Sequence, residues 1–257
     1  MKLGRRCIQV QCDLLDPSSV GKLIPRLLLS LDPPVHLAPT DRHTGATTDD
    51  ASSTNGAAKI GPHVLIEEPQ RASGVPVIPN NDIHILVNSA AVLDLYPAEK
   101  YPMDSFTDIL QINLTSPFQF CRDMGAYWLQ EVLPTGVRVD DRSIINVTSI
   151  LSSRGGKTLA AYTTSKGGLT GVTKTLSNEW AASGIRVNEI APGSCETEMN
   201  WMVNDPPVAK KYVERIPARR WGTADDFKGV VVFLASEKAS RYITGVTVAV
   251  DGGWLAT

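Results

Sequence analysis

Two near-continuous apolar runs flanking one long helical pattern leave this chain few folds to choose from. Residues 144–149 (Ile-Ile-Asn-Val-Thr-Ser) read as a buried strand ending in hydroxyls. Residues 160–182 read as a helix rich in Ala, Leu, Val and Gly, and residues 185–190 as a second strand closing on Ala191-Pro192-Gly193. Strand, helix and strand in that order form a right-handed crossover unit of a parallel sheet. Such sheets bind ligands outside the carboxyl ends of their strands, so the polar residues there become the candidates for chemistry.

Those residues are Ser149, at the end of the first strand, and Tyr162 and Lys166, one turn apart on a single face of the helix. A phenol titrates near about 10 in water and is a poor acid or base at neutral pH unless a fixed cation stabilises its phenolate. Lys166 is placed to be that cation. A depression of two or three units corresponds to about 3–4 kcal/mol, within reach of a desolvated ammonium together with a bound cofactor's positive ring. Ser149 would hold a carbonyl or alcohol oxygen while Tyr162 moves its proton. Taken alone, Tyr-x-x-x-Lys is more often a surface tyrosine beside a solvated lysine. The two flanking strands are what favour the chemical reading.

Four motifs in order carry a resemblance to a known family: Asn88-Ser89-Ala90-Ala91, Asn113 in Gln-Ile-Asn-Leu, the Ser149/Tyr162/Lys166 set, and Pro192-Gly193-x-x-x-Thr197. In these the chain resembles the short-chain dehydrogenases/reductases. The resemblance implies an α/β fold, a Rossmann-like doubly wound parallel sheet in a single domain spanning residues 1–257. It implies an NAD(P)-dependent oxidoreductase that moves hydride between NADP or NAD and the alcohol or carbonyl of a small molecule. Tyr162 is then the acid/base, Ser149 holds the substrate oxygen, Lys166 binds ribose and depresses the phenol, and Asn113 bends its helix and completes a proton relay through a water. Asn88 is expected near the adenosine half, Thr197 at the nicotinamide carboxamide with the backbone of Cys195 alongside, and residues 199–220 as a cover over the substrate. Arg122 matches a position where a basic group faces the cofactor, although a solvated helix arginine fits equally well. The Gly-Gly after the serine and the Asp-Gly-Gly-Trp ending resemble the sugar-acid dehydrogenases of the family.

Two departures stand against that frame. Residues 7–14 alternate and lead into Asp16-Pro17-Ser18-Ser19, a helix start followed by Val20, Leu23, Ile24 and Leu27, which resembles the family's third strand and next helix. Asp13 then matches the carboxylate beside the adenine ring, with a turn aspartate as the alternative. On that alignment the Gly-rich phosphate turn and first two strands have no counterpart, so the sheet is expected to be N-terminally incomplete and dinucleotide binding weak or lacking. The second departure is an insertion over about residues 32–81, dense in Pro, Gly, Ser, Thr, Asp and Asn and expected to be a mobile loop with a short extended piece at residues 63–66. His36, His43 and His63 fall in or beside it as scattered side chains rather than a metal site. Two alternatives follow: a cofactor-deficient relative that acts as a non-redox enzyme or ligand-binding scaffold, or a truncated gene product.

Composition narrows the partners. A net charge of −2 offers no basic surface for nucleic acid or anionic membrane, and no run approaches a membrane span. Cys7, Cys12, Cys121 and Cys195 lack metal-binding or redox spacing, so reduced thiols and a cytoplasmic location are expected. The C-terminal strand and tail resemble the part of the family that builds subunit contacts, which implies a homo-oligomer, dimer or tetramer.

Overall fold

The computed structural model describes residues 14–29, 31–32, 78–79, 83–132, 141–197, 199–200 and 205–257. The expected first strand with Asp13, the extended piece at 63–66 and the three histidines of the insertion lie outside the described residues.

Four parallel strands form the sheet in the order β3 (Ile85–Asn88), β4 (Arg142–Val147), β5 (Ile185–Pro192) and β6 (Thr247–Val250). The register runs Ile85 with Ser143, Arg142 with Ile185, and Glu189 with Thr247. β4 and β5 are buried along nearly their whole lengths. That pattern requires cover on both faces, and it buries polar residues such as Asn146, Asn188 and Glu189 along with the apolar ones. On one face Ile144 and Val187 meet α3 (Ser116–Val132) through Phe120, Cys121, Met124 and Trp128, and α4 (Ala160–Trp180) through Leu176. On the other, Ile145 and Ile190 meet Leu234, Phe227, Val230 and Val231 of α6 (Asp225–Ala235). The α/β, doubly wound parallel architecture is therefore present, with helices on both faces.

The helix expected after Asp16 is α1 (Pro17–Leu29). The Asp16 carboxylate accepts from the Ser18 backbone N–H at 2.9 Å and from its hydroxyl at 3.0 Å, and these bonds hold that carboxyl below the usual range. α1 packs on α3 and places Val20 in the first core cluster. The two ends of the insertion pair in parallel, Leu31 with Ile78 and Asp32 with Pro79, as strands β1 (Leu31–Asp32) and β2 (Ile78–Pro79).

Among the described residues β3 is the end of the sheet, paired with β4 alone. Leu86 and Asn88 turn toward α3, while Val87 faces the opposite side and is 43% exposed, in contrast to the fully buried Ile145 beside it. The α6 cover thus reaches β4 and β5 and stops short of β3. The helix glycines divide: a Cβ on Gly168 would fall 2.8 Å from the Leu114 side chain, which would have to shift, whereas Gly171 has open space.

Arg186 is the polar residue inside the sheet with the fullest set of partners among those described. Arg186 on β5 meets both carboxylate oxygens of Asp141, one at 2.8 Å, and donates to the Leu234 carbonyl and Ser240 hydroxyl at 2.8 Å each. Both partners are buried. Removing one leaves an uncompensated interior charge. Asp141→Ala is expected to cost about 3–5 kcal/mol, read as a lower urea midpoint at unchanged slope.

Candidate active site

The site forms where β4 ends and α4 begins. After Val147 the chain leaves the sheet, and Thr148 stays anchored through its N–H and hydroxyl on the Ile190 carbonyl. Ser149 then caps a short 3₁₀ turn, its hydroxyl accepting from the Leu151 N–H at 3.1 Å. α4 returns over the sheet with Tyr162 and Lys166 on its inner side. Lys166 is 2% exposed and its Nζ donates to the Val147 carbonyl at 2.7 Å. The same ammonium lies 5.8 Å from the centroid of the Tyr162 ring. The Ser149 side chain lies close enough to the Tyr162 phenol to favour its ionised form. The three residues chosen from the sequence are brought together.

Their charges are set by burial. Desolvation lowers Lys166 to about 8, with Glu189 acting in the opposite direction. Desolvation pushes the Tyr162 phenol up, and the Ser149 side chain only partly offsets it. The sequence reading expects Lys166 to depress the phenol. In the structure of the chain by itself the phenol moves the other way, because losing water around the phenolate outweighs the help it receives. Cys195, buried beside the tyrosine, is pushed up to about 11, and Cys121, in the interior, to about 12. Neither thiol is a thiolate at neutral pH.

Asn113 sits on a π-helical turn (Gln111–Thr115) between α2 (Met103–Leu110) and α3. Such turns break the regular ladder and recur at functional sites. Fully buried, the Asn113 side chain accepts from the Val92 N–H at 2.9 Å and donates to the Val92 carbonyl at 2.8 Å and to the Ser165 hydroxyl at 3.2 Å. Ser165 in turn donates to the Tyr162 carbonyl. The asparagine therefore ties the segment after β3 to the helix that carries the tyrosine and lysine.

The remaining candidates scatter. Asn88 turns inward and donates to Asn146 at 2.8 Å and to the Cys121 sulfur at 3.2 Å, so its amide serves the interior. Arg122 is exposed and pairs with Asp123. Thr197 is exposed, and its carbonyl accepts from the Asn200 N–H. Cys195 pairs with Gly222 in an isolated parallel bridge, and its carbonyl takes the Asn200 side chain at 2.7 Å. One group that sequence reading passes over is Glu189, a buried carboxylate in the α4–β5 interface. Its signal was a carboxylate in the middle of a strand whose burial runs from end to end.

A cleft of about 360 Å³ opens beyond the ends of β5 and β6, lined by residues that include Ser194, Arg220, Asp226 and Gly253. Neither Ser149, Tyr162 nor Lys166 lines it, so geometry at the three residues and not cavity size locates the chemistry. Among the described residues no cluster of His, Cys, Asp and Glu is placed to hold a metal, and no helix is long and apolar enough to cross a membrane.

The donor set suits the nicotinamide and ribose end of a dinucleotide. An ammonium has three donors, of which Val147 takes one, and a phenol beside a serine hydroxyl can hold a carbonyl or alcohol oxygen. The pyrophosphate end has no counterpart among the described residues. Where glycines follow a described strand they are already packed: a Cβ on Gly193 would lie 2.6 Å from Asp251, one on Gly252 2.7 Å from Ile216, and one on Gly253 3.1 Å from Pro217.

Comparison with known proteins agrees with this geometry. Residues 79–255 match the family model described as "Enoyl-(Acyl carrier protein) reductase". The chain belongs to the short-chain dehydrogenase/reductase family. It is 42% identical over 185 residues to a 2-dehydro-3-deoxy-D-gluconate 5-dehydrogenase of Bacillus subtilis (strain 168), covering 72% of this chain and 69% of that protein. Among solved structures it is similar to one from Beutenbergia cavernae with NADP bound at low occupancy, at a TM-score of 0.70 and 28% identity, covering 96% of this chain and 76% of that one. It is also similar to a 4-hydroxyisoleucine dehydrogenase complexed with NADH, at a TM-score of 0.59 and 29% identity, covering 67% and 69%. The chain spans about two thirds of the length of the curated relatives it matches, from 64% to 69% for the 2-dehydro-3-deoxy-D-gluconate 5-dehydrogenases.

A lysine lowered from its ordinary 10.5 to about 8 binds fewer protons folded than unfolded between those values. Stability is therefore gained as pH rises through that window and is lacking below it. Lys166→Met is expected to gain on the wild type by about 3 kcal/mol on going from pH 10.5 to pH 7, in urea unfolding at both pH values.

Proposed function

We propose that this chain carries the proton-transfer machinery of an NAD(P)-dependent oxidoreductase acting on the alcohol or carbonyl group of a small sugar acid. The observation that carries the reading is the convergence of Ser149, Tyr162 and the buried Lys166 at the carboxyl end of β4. The substrate class rests on the similarity to the 2-dehydro-3-deoxy-D-gluconate 5-dehydrogenases and on the Asp251-Gly252-Gly253-Trp254 ending. The non-redox alternative is not favoured, because the relatives are dehydrogenases and reductases.

When bound, the nicotinamide ring supplies or takes up the hydride. Everything else falls to the chain's own side chains. The Ser149 hydroxyl holds the substrate oxygen against the phenol. In reduction the Tyr162 phenol gives its proton to the oxygen as negative charge develops there, and in oxidation the phenolate takes that proton back. The Lys166 ammonium, fixed by Val147, binds ribose hydroxyls and favours the phenolate. Asn113 holds Ser165 and Val92 so that this geometry survives. Residues 199–220 are the proposed cover, with Thr197 and the Cys195 backbone at the carboxamide and Asn88, Arg122 and Asp13 toward the adenosine end. The exposed Val232 and Phe233 of α6 suit a homo-oligomer. The protonated thiols suit the cytoplasm.

Calorimetric titration with NADP(H) and NAD(H), followed by a panel of hydroxy and keto sugar acids, tests the proposal. Tyr162→Phe is expected to lower kcat/KM by about 10²–10⁴ with little change in dinucleotide affinity. Equal turnover by the variant would overturn the assignment. Because burial raises the phenol, reduction should hold at neutral pH and fall only in alkali, while oxidation should climb with pH in initial-rate profiles.

A further inference from the structure

Glu189 lies near the middle of β5, between Asn146 of β4 and Thr247 of β6, and is 1% exposed. Its side chain points toward α4. One oxygen, Oε1, accepts from the Thr170 hydroxyl at 3.0 Å and from the Thr247 hydroxyl at 2.6 Å. The other, Oε2, is buried and has no hydrogen-bond partner. A carboxylate in a dry interface with half of its acceptor capacity unused is costly unless a cation offsets it.

The cation is near. Thr170 is one helical turn beyond Lys166 on the same face of α4, so the hydroxyl that holds Glu189 and the ammonium that binds Val147 project into one interface. Val147 pairs with Ile190, the residue after Glu189, so the carbonyl that holds the ammonium lies one register step along the sheet from Glu189. The other titratable groups facing Lys166 and its tyrosine are few. Tyr162 faces it from its own helix and Cys195 faces the tyrosine from beyond β5, both protonated at neutral pH. Ser149 beyond β4, Asn113 on the π-helical turn and Thr247 of β6 carry no charge. Cys121 of α3 is held protonated and contacts Asn146.

We infer that Glu189 is a positioning residue that keeps Lys166 charged inside the protein, held by Thr170 and Thr247 so that its unpartnered oxygen faces the lysine's interface. The inference rests on the proposed role of Lys166 but concerns its charge, which can be measured without turnover. Desolvation alone drives a buried lysine toward the neutral amine, and a neutral amine can neither stabilise a phenolate nor bind ribose as an ion. Glu189 opposes that drift. The chain thus places the counter-charge behind the lysine, on the sheet side, leaving the face toward substrate free of a competing carboxylate.

The test is a pH titration of the Lys166 side-chain ¹³Cε signal in the full chain, assigned with Lys166→Arg. In Glu189→Gln, which keeps the shape and the threonine contacts, the Lys166 midpoint is expected to fall by about one unit or more. In Glu189→Asp it should recover most of that fall, and the lysine-dependent limb of the kcat/KM profile should move with it. A midpoint in Glu189→Gln within about 0.3 unit of the wild type overturns the inference, since a purely structural glutamate would change the melting temperature and leave the lysine where it was. A shifted midpoint in a chain that turns over no substrate sustains the inference and counts against the oxidoreductase reading alone. Where Glu189→Gln does not fold, the double variant Glu189→Gln/Lys166→Met decides. Folding of the neutral pair supports the inference, and failure to fold overturns it.

Discussion

The structure depends on holding one ammonium out of water at the place where a strand ends. Lys166 reaches from α4 to the last carbonyl of β4, and that bond fixes how far the helix slides along the sheet. Ser149 and Tyr162 then have little freedom, since one follows the strand and the other precedes the lysine by a turn. The cost of burying the cation is visible in its lowered titration, and much of the surrounding polarity answers that cost. A carbonyl satisfies one proton, a carboxylate on the α4 side of the sheet opposes neutralisation, and two threonines hold that carboxylate.

A second polar layer runs alongside. Asn88, Asn146, Cys121 and Thr173 link β3, β4, α3 and α4 through side chains, where an ordinary core would use apolar contacts alone. Fully satisfied networks of this kind fix a unique register, because a slip would strand several buried donors at once. In this network the Asn88 amide donates to Asn146 and to the Cys121 sulfur.

What could be read from the residues followed from periodicity and spacing. The strands at 142–147 and 185–192 and the helix between them were legible because short runs rich in Ile and Val flank one long helical pattern. Ser149, Tyr162 and Lys166 were legible because helix geometry forces residues four apart onto one face. The direction of the Tyr162 shift was not, since it depends on how much water is excluded, and that is a property of packing. Arg122 was ambiguous for a similar reason: its helix phase allows either solvent or cofactor, and an exposed side chain paired with Asp123 is compatible with both. Glu189 could have been flagged as a carboxylate within a core strand, but only tertiary contact reveals which cation it answers.

Asn113 offers a different lesson. By receiving the N–H and returning a hydrogen to the carbonyl of the same residue, it makes with Val92 the paired exchange that one strand residue makes with its neighbour across an antiparallel ladder. One side chain has taken the part of a missing rung. No isostere can copy it, since aspartate lacks the donor and leucine lacks both groups. The imitation also depends on helix phase, because the π-helical turn is what aims residue 113 at that peptide unit. Restoring regular α-helical winding there would rotate the amide away and unfasten the segment that leads out of β3.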